Sequence, residues 1–294
     1  MQKIKIYLKL IRVKHYVKNI LLFVPLFFAH QMTKGIVLKE CIAFFAFSFM
    51  ASSIYIINDI KDVEKDKIHP TKKNRPLASG VISKKNAIFL TCILVVFSLI
   101  LNYFTYSSKE SFLVLILYFI LNIAYTFRLK NEPIIDIFLL VSFYILRLYY
   151  GGIVVNINIS DWLFLTVMCA SFFLTFGKRR NELIKTSDKT RSVLKYYNKE
   201  FLDKFMYVTL SLTLVFYSIW TIEQEIKYLI LSIPLLFMIF LKYSLNVEGQ
   251  SDGDPTEVLF SDKVLIALSI LYIGFMFALM RWYCESLWFW WYYI

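Results

Sequence analysis

The sequence predicts an all-α, polytopic membrane protein with about nine transmembrane helices, and three observations carry that expectation. Of the 294 residues, 59% are hydrophobic and 18% are charged, against roughly a quarter charged in a soluble domain. The apolar residues come in runs of about the 20 residues that cross a bilayer, separated by charged loops. Lysine and arginine collect in alternate loops, the pattern by which membrane chains encode orientation.

The apolar runs fall at 17–32, 38–57, 86–106, 111–129, 134–155, 161–177, 205–222, 227–244 and 263–282. The first is short and contains Pro25, and it follows the basic stretch KIKIYLKLIRVKHYV. Residues 1–16 therefore read as a basic amphipathic helix on the membrane surface. The run itself is expected to stay in the chain, because His30-Gln31-Met32 offers no small-residue cleavage site.

Of the Lys and Arg residues, six lie in the amino-terminal segment, eight in loop 58–85, two in 128–133, nine in 178–204 and two in 242–263. The alternate loops carry five, and Arg147 lies inside a span. The 27 on one side predict a plasma-membrane protein with a cytoplasmic amino terminus and its carboxyl terminus outside. This placement accounts for the net charge of +12 as a membrane-topology signal and argues against nucleic acid as a partner. The four cysteines, Cys41, Cys92, Cys169 and Cys284, lack CxxC spacing and are expected as small buried hydrophobes. With no linker, low-complexity run or clear repeat, residues 1–294 read as a single transmembrane domain. Loops 58–85 and 178–204 lie at one, cytoplasmic, face, and the oligomeric state stays open, a homo-oligomer included.

The stretch that carries chemistry is NDIKDVEKDKIHPTKKNRPLASG, residues 58–80, at the end of the second span. Asn58, Asp59, Asp62 and Asp66 fall on one helical stripe. Carboxylates crowded beside lipid repel one another, and a hard divalent cation relieves the repulsion. Magnesium takes a few carboxylate oxygens together with waters and substrate phosphates, and Asn58 adds a neutral oxygen. A solvated acidic helix end is the usual reading of a lone DxxxD. The asparagine, the eight-residue reach and the basic tail favour a metal here. That tail supplies His69, Lys72, Lys73 and Arg75, so metal and cations together suit a diphosphate. A metal-held diphosphate is an activated leaving group.

These motifs resemble the UbiA superfamily of intramembrane prenyltransferases: NDxxDxxxD, then an RPLxxG loop, on nine predicted spans. The resemblance covers the whole chain and implies a UbiA-type helical bundle with Mg2+ as cofactor. Members with aromatic acceptors carry a second aspartate-rich motif after span six, where this chain has TFGKRRNELIKTSDKTRSVLKYYN. RVKHYVKNILLFVPLFFA (12–29), GKRRNEL (177–183), RSVLKYYN (191–198) and YSLNVEGQSDGDPTEVLFSDKVL (243–265) are similar instead to decaprenyl-phosphate phosphoribosyltransferases. That branch implies phosphoribosyl diphosphate and a polyprenyl phosphate as substrates, and work in cell-envelope biosynthesis.

Such a substrate pair carries one diphosphate for the acidic stripe and two further phosphates for separate cations. Asn58, Asp62 and Asp66 are then the expected catalytic metal ligands, with Asp59 as a fourth or lying behind them. Lys178, Arg179 and Arg180 are candidates for the ribose 5-phosphate, and Lys14 and Lys18 for the lipid phosphate. Each of these lysines also has an ordinary reading as a topology charge. Lys72 and Arg75 belong with the diphosphate, and the resemblance adds Lys130 and Tyr125 from YTFRLKNEPIID (125–136). Arg147 needs a partner inside its span, with Asp136 as one option. The acidic run EGQSDGDPTE lacks EF-hand ligand spacing and reads as a loop whose Ser261 or Asp262 caps the last span. Two alternatives remain: an aromatic prenyltransferase of the same fold using a polyprenyl diphosphate, disfavoured by the missing second acidic motif, and a non-catalytic transporter. Deep intramembrane charge marks transporters, and here only Arg147 lies deep.

Overall fold

The computed structural model describes residues 2–28, 33–68, 72–105, 108–185, 192–224, 226, 228–249 and 253–291, and the side chains among 4–279 of these. The described residues are helical throughout their ordered elements, with no strand among them. They divide into two compact units, Met1–Ile159 and Ser160–Ile294.

The first unit holds α1 (Gln2–Leu10), a 3₁₀ segment (Val13–Leu22), α2 (Phe23–Phe28), α3 (Lys34–Lys61), α4 (Val63–Ile68), α5 (Lys84–Phe104), α6 (Lys109–Phe127) and α7 (Ile135–Val155). α3 is the central helix and packs against α5, α6, α7 and the 3₁₀ segment. Phe47, Met50 and Ile54 of α3 meet Leu115 and Tyr118 of α6 and Leu139, Phe143 and Tyr150 of α7 in one buried cluster. Helix starts follow local chemistry: Thr33 accepts from the Ile36 amide and Ser83 from the Asn86 amide, each filling an orphan donor of a first turn.

The second unit holds α8 (Asp161–Lys185), α9 (Lys199–Glu223), α10 (Ile233–Glu248), α11 (Pro255–Ser261) and α12 (Lys263–Trp291). Phe173 of α8 packs against Phe240 and Tyr243 of α10. The Tyr217 hydroxyl of α9 bonds Ser232 at 2.6 Å and Tyr272 of α12 at 2.8 Å, which satisfies polar atoms buried in an apolar bundle. α11 and α12 meet at a 99° bend. As the sequence suggests, Asp262 caps α12, accepting from the Val264 and Leu265 amides.

Among the described residues, seven helices have the length and apolarity to cross a membrane, or eight if the bent α11–α12 pair counts as one span. They match the expected runs from 38–57 onward. The run at 17–32 differs: among its described residues it continues the 3₁₀ segment into the six-residue α2, neither of span length. Pro25 removes a backbone donor there. The basic helix expected over 1–16 stops at Leu10, where the chain turns through Arg12 in the left-handed region (φ 54°). Among the cysteines, Cys169 is buried as expected, but Cys41 is half-buried and Cys92 is exposed on α5. A helix face turned to lipid is as apolar as one turned to the core, so hydropathy alone did not separate them.

Candidate active site

α3 runs as regular helix to Lys61, and Asp62 is its C-cap, its amide bonded to the Asn58 carbonyl at 2.9 Å. α4 then continues to Asp66, whose amide bonds the Asp62 carbonyl at 2.8 Å. The backbone thus carries Asn58, Asp62 and Asp66 forward at helical spacing across the break.

Each of the four side chains on the stripe already has a polar partner. Asn58 Oδ1 accepts from Thr126 Oγ1 of α6 at 2.6 Å. Asp62 receives Lys130 Nζ on both oxygens, at 3.1 and 3.0 Å. Asp66 Oδ2 pairs with Arg75 Nη1 at 2.6 Å, and the same nitrogen lies 3.1 Å from Asp59 Oδ1. Asp59 is 3% exposed and also pairs with Arg12, whose guanidinium lies over the Tyr55 ring. Asp59 is therefore an anchor for two arginines, one on each side of it in the chain. Asp62 keeps 28% of its side chain exposed, open enough to meet a ligand. Beside them, exposed Glu64 is hydrogen-bonded by Lys67, which holds its carboxyl below the usual range.

The other candidates of this unit fall as follows. Lys72 and Lys73 are exposed, and Arg75 half-buried, on the turn after α4; His69 lies outside the described residues. Tyr125 packs edge-on against Phe143, one residue before the threonine that holds Asn58. Lys14 is exposed and Lys18 half-buried on the 3₁₀ segment. Arg147 is 4% exposed. Its partner is not Asp136: its guanidinium bonds Asn19 Oδ1 at 2.7 Å, Tyr118 Oη at 3.0 Å and the Phe143 carbonyl at 2.6 Å. Asp136 and Arg147 share one helix eleven residues apart, about 16 Å at 1.5 Å per residue, so the pair could not have met within it.

In the second unit the GKRRN segment ends α8. Lys178 Nζ pairs with Asp254 Oδ2 at 3.1 Å, Arg179 with Glu182 at 2.5 Å and Arg180 with Asp203 at 2.5 Å. Arg180 Nη1 also donates to the Val247 carbonyl at 3.2 Å, so this side chain ties α8 to α9 and α10. Gly253, at φ 72°, lies flat on this segment, where a Cβ would sit 2.7 Å from Asn181 Cβ. Of the acidic run expected as a loop, residues 250–252 lie outside the described part, and Asp254 caps α11 through the Thr256 amide. Residues 186–191 of the basic loop are likewise outside it.

Arg12, Thr126, Asn19, Ser48 and Ser52 were not among the residues singled out from sequence. A signal existed for the serines: Ser48, Ser52 and Asp59 are polar positions on one face of an otherwise apolar span.

The profile of the UbiA prenyltransferase family matches residues 21–266. This chain belongs to the UbiA prenyltransferase family. Its UbiA relatives include the decaprenyl-phosphate phosphoribosyltransferase of Mycolicibacterium smegmatis, 32% identical over 91% of this chain and 90% of that protein. That of Mycobacterium tuberculosis is 32% identical over 90% and 91%. Among solved structures, the UbiA homologue of Archaeoglobus fulgidus bound to DMAPP and Mg2+ superposes with a TM-score of 0.72 at 18% identity, over 94% of this chain and 99% of that one. The fold is thus the UbiA fold, and the protein is a multi-pass membrane protein.

Magnesium is commonly bound through a few carboxylate oxygens plus substrate phosphates rather than in a closed protein cage. Among the described residues no three His, Cys, Asp or Glu side chains are gathered as a metal cluster. Two carboxylates and an amide oxygen on one stripe, with the cations Lys130 and Arg75 against them, fit an ion that completes its shell with substrate phosphates.

Proposed function

We propose that the protein transfers 5-phosphoribose from 5-phosphoribose 1-diphosphate to a polyprenyl phosphate, at the cytoplasmic face of the plasma membrane, releasing pyrophosphate. The observation that carries this reading is the alternation of acid and base at the end of α3. Asp62 pairs with Lys130 and Asp66 with Arg75, four and eight residues after Asn58, which Thr126 holds, and a basic GKRRN segment stands in the sequence where aromatic-acceptor enzymes carry a second acidic motif. The relatives named above, matched over nine-tenths of the chain, support the same substrates.

Asn58, Asp62 and Asp66 would hold Mg2+, which when bound neutralises a diphosphate leaving group. Thr126 fixes the Asn58 amide with its oxygen positioned. Lys130 and Arg75 offset the repulsion among the stripe's carboxylates, and both would turn to the diphosphate oxygens, which offer them more charge than a carboxylate does. Asp59 takes no ligand role in this reading; buried between Arg12 and Arg75, it sets where both arginines stand. Lys14 and Lys18 receive the lipid phosphate. Of the three basic residues of α8, Lys178, 28% exposed, is the one whose exposure lets it exchange its carboxylate for the ribose 5-phosphate, while Arg179 and Arg180 hold that segment in shape.

The lipid phosphate oxygen is already anionic near neutral pH and needs no dedicated base. It forms the new bond to C1 as the bond from C1 to the diphosphate breaks, with charge developing on the ribose as in other glycosyl transfers. The configuration at C1 inverts. Catalysis is then mostly positioning and electrostatics. The reading is tested with Asp62→Ala: pyrophosphate release should fall at least about a hundredfold and should not return at saturating magnesium. Near-normal release would remove Asp62 from the metal site.

A further inference from the structure

The amino-terminal segment is fastened to the bundle by a row of polar contacts in register. Arg12 pairs with Asp59. Ser52 Oγ donates to the Ile11 carbonyl at 2.7 Å and so accepts from Tyr16 Oη at 2.9 Å. Asn19 Nδ2 donates to Ser48 Oγ at 2.9 Å. The partners Asp59, Ser52 and Ser48 descend one face of α3 as the segment runs the opposite way.

Asn19 is the hub. It is 1% exposed, and its Oδ1 accepts from Arg147 Nε on α7 at 2.7 Å. Arg147 in turn bonds Tyr118 of α6 and lies over the Phe47 and Tyr118 rings, each 5.2 Å away. One 3₁₀ turn past Asn19, the Leu22 carbonyl presses against Gly151 of α7, where a Cβ would come within 2.1 Å.

A ten-residue 3₁₀ helix is long for a winding that seldom exceeds three or four residues. What sustains it is visible. Three residues per turn stack Tyr16, Asn19 and Leu22 on one ridge, and each of the three meets a partner on α3 or α7. In an α-helix, residues three apart fall about 60° short of a full turn, and the ridge would fan away from those partners. The winding that aligns this ridge also sets the remaining side chains, among them Lys14 and Lys18. Lys18 immediately precedes the hub residue Asn19 in the chain.

We infer that Asn19 and Arg147 are positioning residues for the acceptor: by locking the 3₁₀ segment to α3 and α7 they hold Lys14 and Lys18 in register with Asn58, Asp62 and Asp66. The inference rests on the reaction proposed above. Neither residue touches the reacting atoms; both act through the lysines.

The test uses the full chain in detergent with Mg2+, phosphoribosyl diphosphate and polyprenyl phosphate, and measures KM for each substrate separately. Asn19→Leu keeps the size and removes both hydrogen bonds. The KM for polyprenyl phosphate should rise about tenfold while that for phosphoribosyl diphosphate stays within about twofold. Asn19→Asp accepts from both Arg147 and the Ser48 hydroxyl, and should bring the lipid KM back to within about threefold of wild type. A fold defect alone would not divide the two substrates, nor be rescued by a buried carboxylate. If Asn19→Leu does not yield folded protein, Ser48→Ala removes one bond of the hub and should show the same division at about threefold. Equal changes in both KM values, no change in either, or no rescue by Asn19→Asp overturns the inference. Wild-type protein that gives no product from this substrate pair overturns the proposed reaction, and the inference with it.

Discussion

Replacing Gly151 by alanine should disturb activity without altering any candidate substrate ligand. The added Cβ would lie 2.1 Å from the Leu22 carbonyl oxygen and 2.8 and 2.9 Å from that residue's carbonyl carbon and Cα. Ordinary contact begins near 3.4 Å, so relief requires a shift of about 1.3 Å in backbone that has no flexible end to yield. Overpacking of this kind costs about 1–3 kcal/mol. The shift falls on the segment bearing Lys14 and Lys18, and a displacement of about 1 Å in a positioning element can cost about a hundredfold in rate. Gly151→Ala should therefore unfold earlier in a denaturant titration in detergent, and its kcat/KM for polyprenyl phosphate should fall between about tenfold and a hundredfold. Gly274→Ala on α12 is the control, because a Cβ there meets nothing within 4 Å. It should keep activity and gain up to about 1 kcal/mol from helix propensity. If Gly151→Ala matched wild type in both stability and kinetics, the close approach of the amino-terminal segment to α7 would be wrong, and with it the account of how the lysines are placed.

Other expectations follow from the same geometry. Lys130→Met removes the cation that bridges Asp62 and should raise the KM for phosphoribosyl diphosphate about tenfold, with little effect on that for the lipid; an effect on the lipid alone would reassign the residue. Chelation with EDTA should abolish turnover, and Mg2+ should restore it, since two carboxylates and an amide hold the ion weakly without substrate; full activity in EDTA would exclude a metal-dependent reaction. Arg180→Met and Asp203→Asn, alone and combined, should show a coupling of about 1–3 kcal/mol in stability, measured by denaturant titration. A coupling near zero would return Arg180 to the list of phosphate ligands.

Much of the fold was legible because lipid imposes a simple rule on sequence: long apolar runs, charges between them. The helices from Lys34 onward follow that rule. Among its described residues the run at 17–32 did not behave as a span, because Asn19, with Arg12 and Tyr16 just ahead of the run, serves contacts with α3 and α7 that no local window contains. Within the site, the stripe from Asn58 to Asp66 could be read because helical spacing brings those residues together without tertiary information. Lys130 and Arg75 were suggested by type and found against the acids. Arg147 was visible as a buried cation, yet its partner Asn19 lies 128 residues away in the chain, beyond any periodicity. The ion pairs of Lys178 and Arg180 were hidden for the same reason: Asp254 and Asp203 come from separate helices, whereas Arg179 pairs with Glu182 at helical spacing in the same helix.

The most direct measurement is incubation of the purified protein with Mg2+, phosphoribosyl diphosphate labelled in the ribose, and polyprenyl phosphate. The account predicts labelled lipid and an equal amount of pyrophosphate. No labelled lipid, together with turnover of a polyprenyl diphosphate onto an aromatic acceptor, would contradict it.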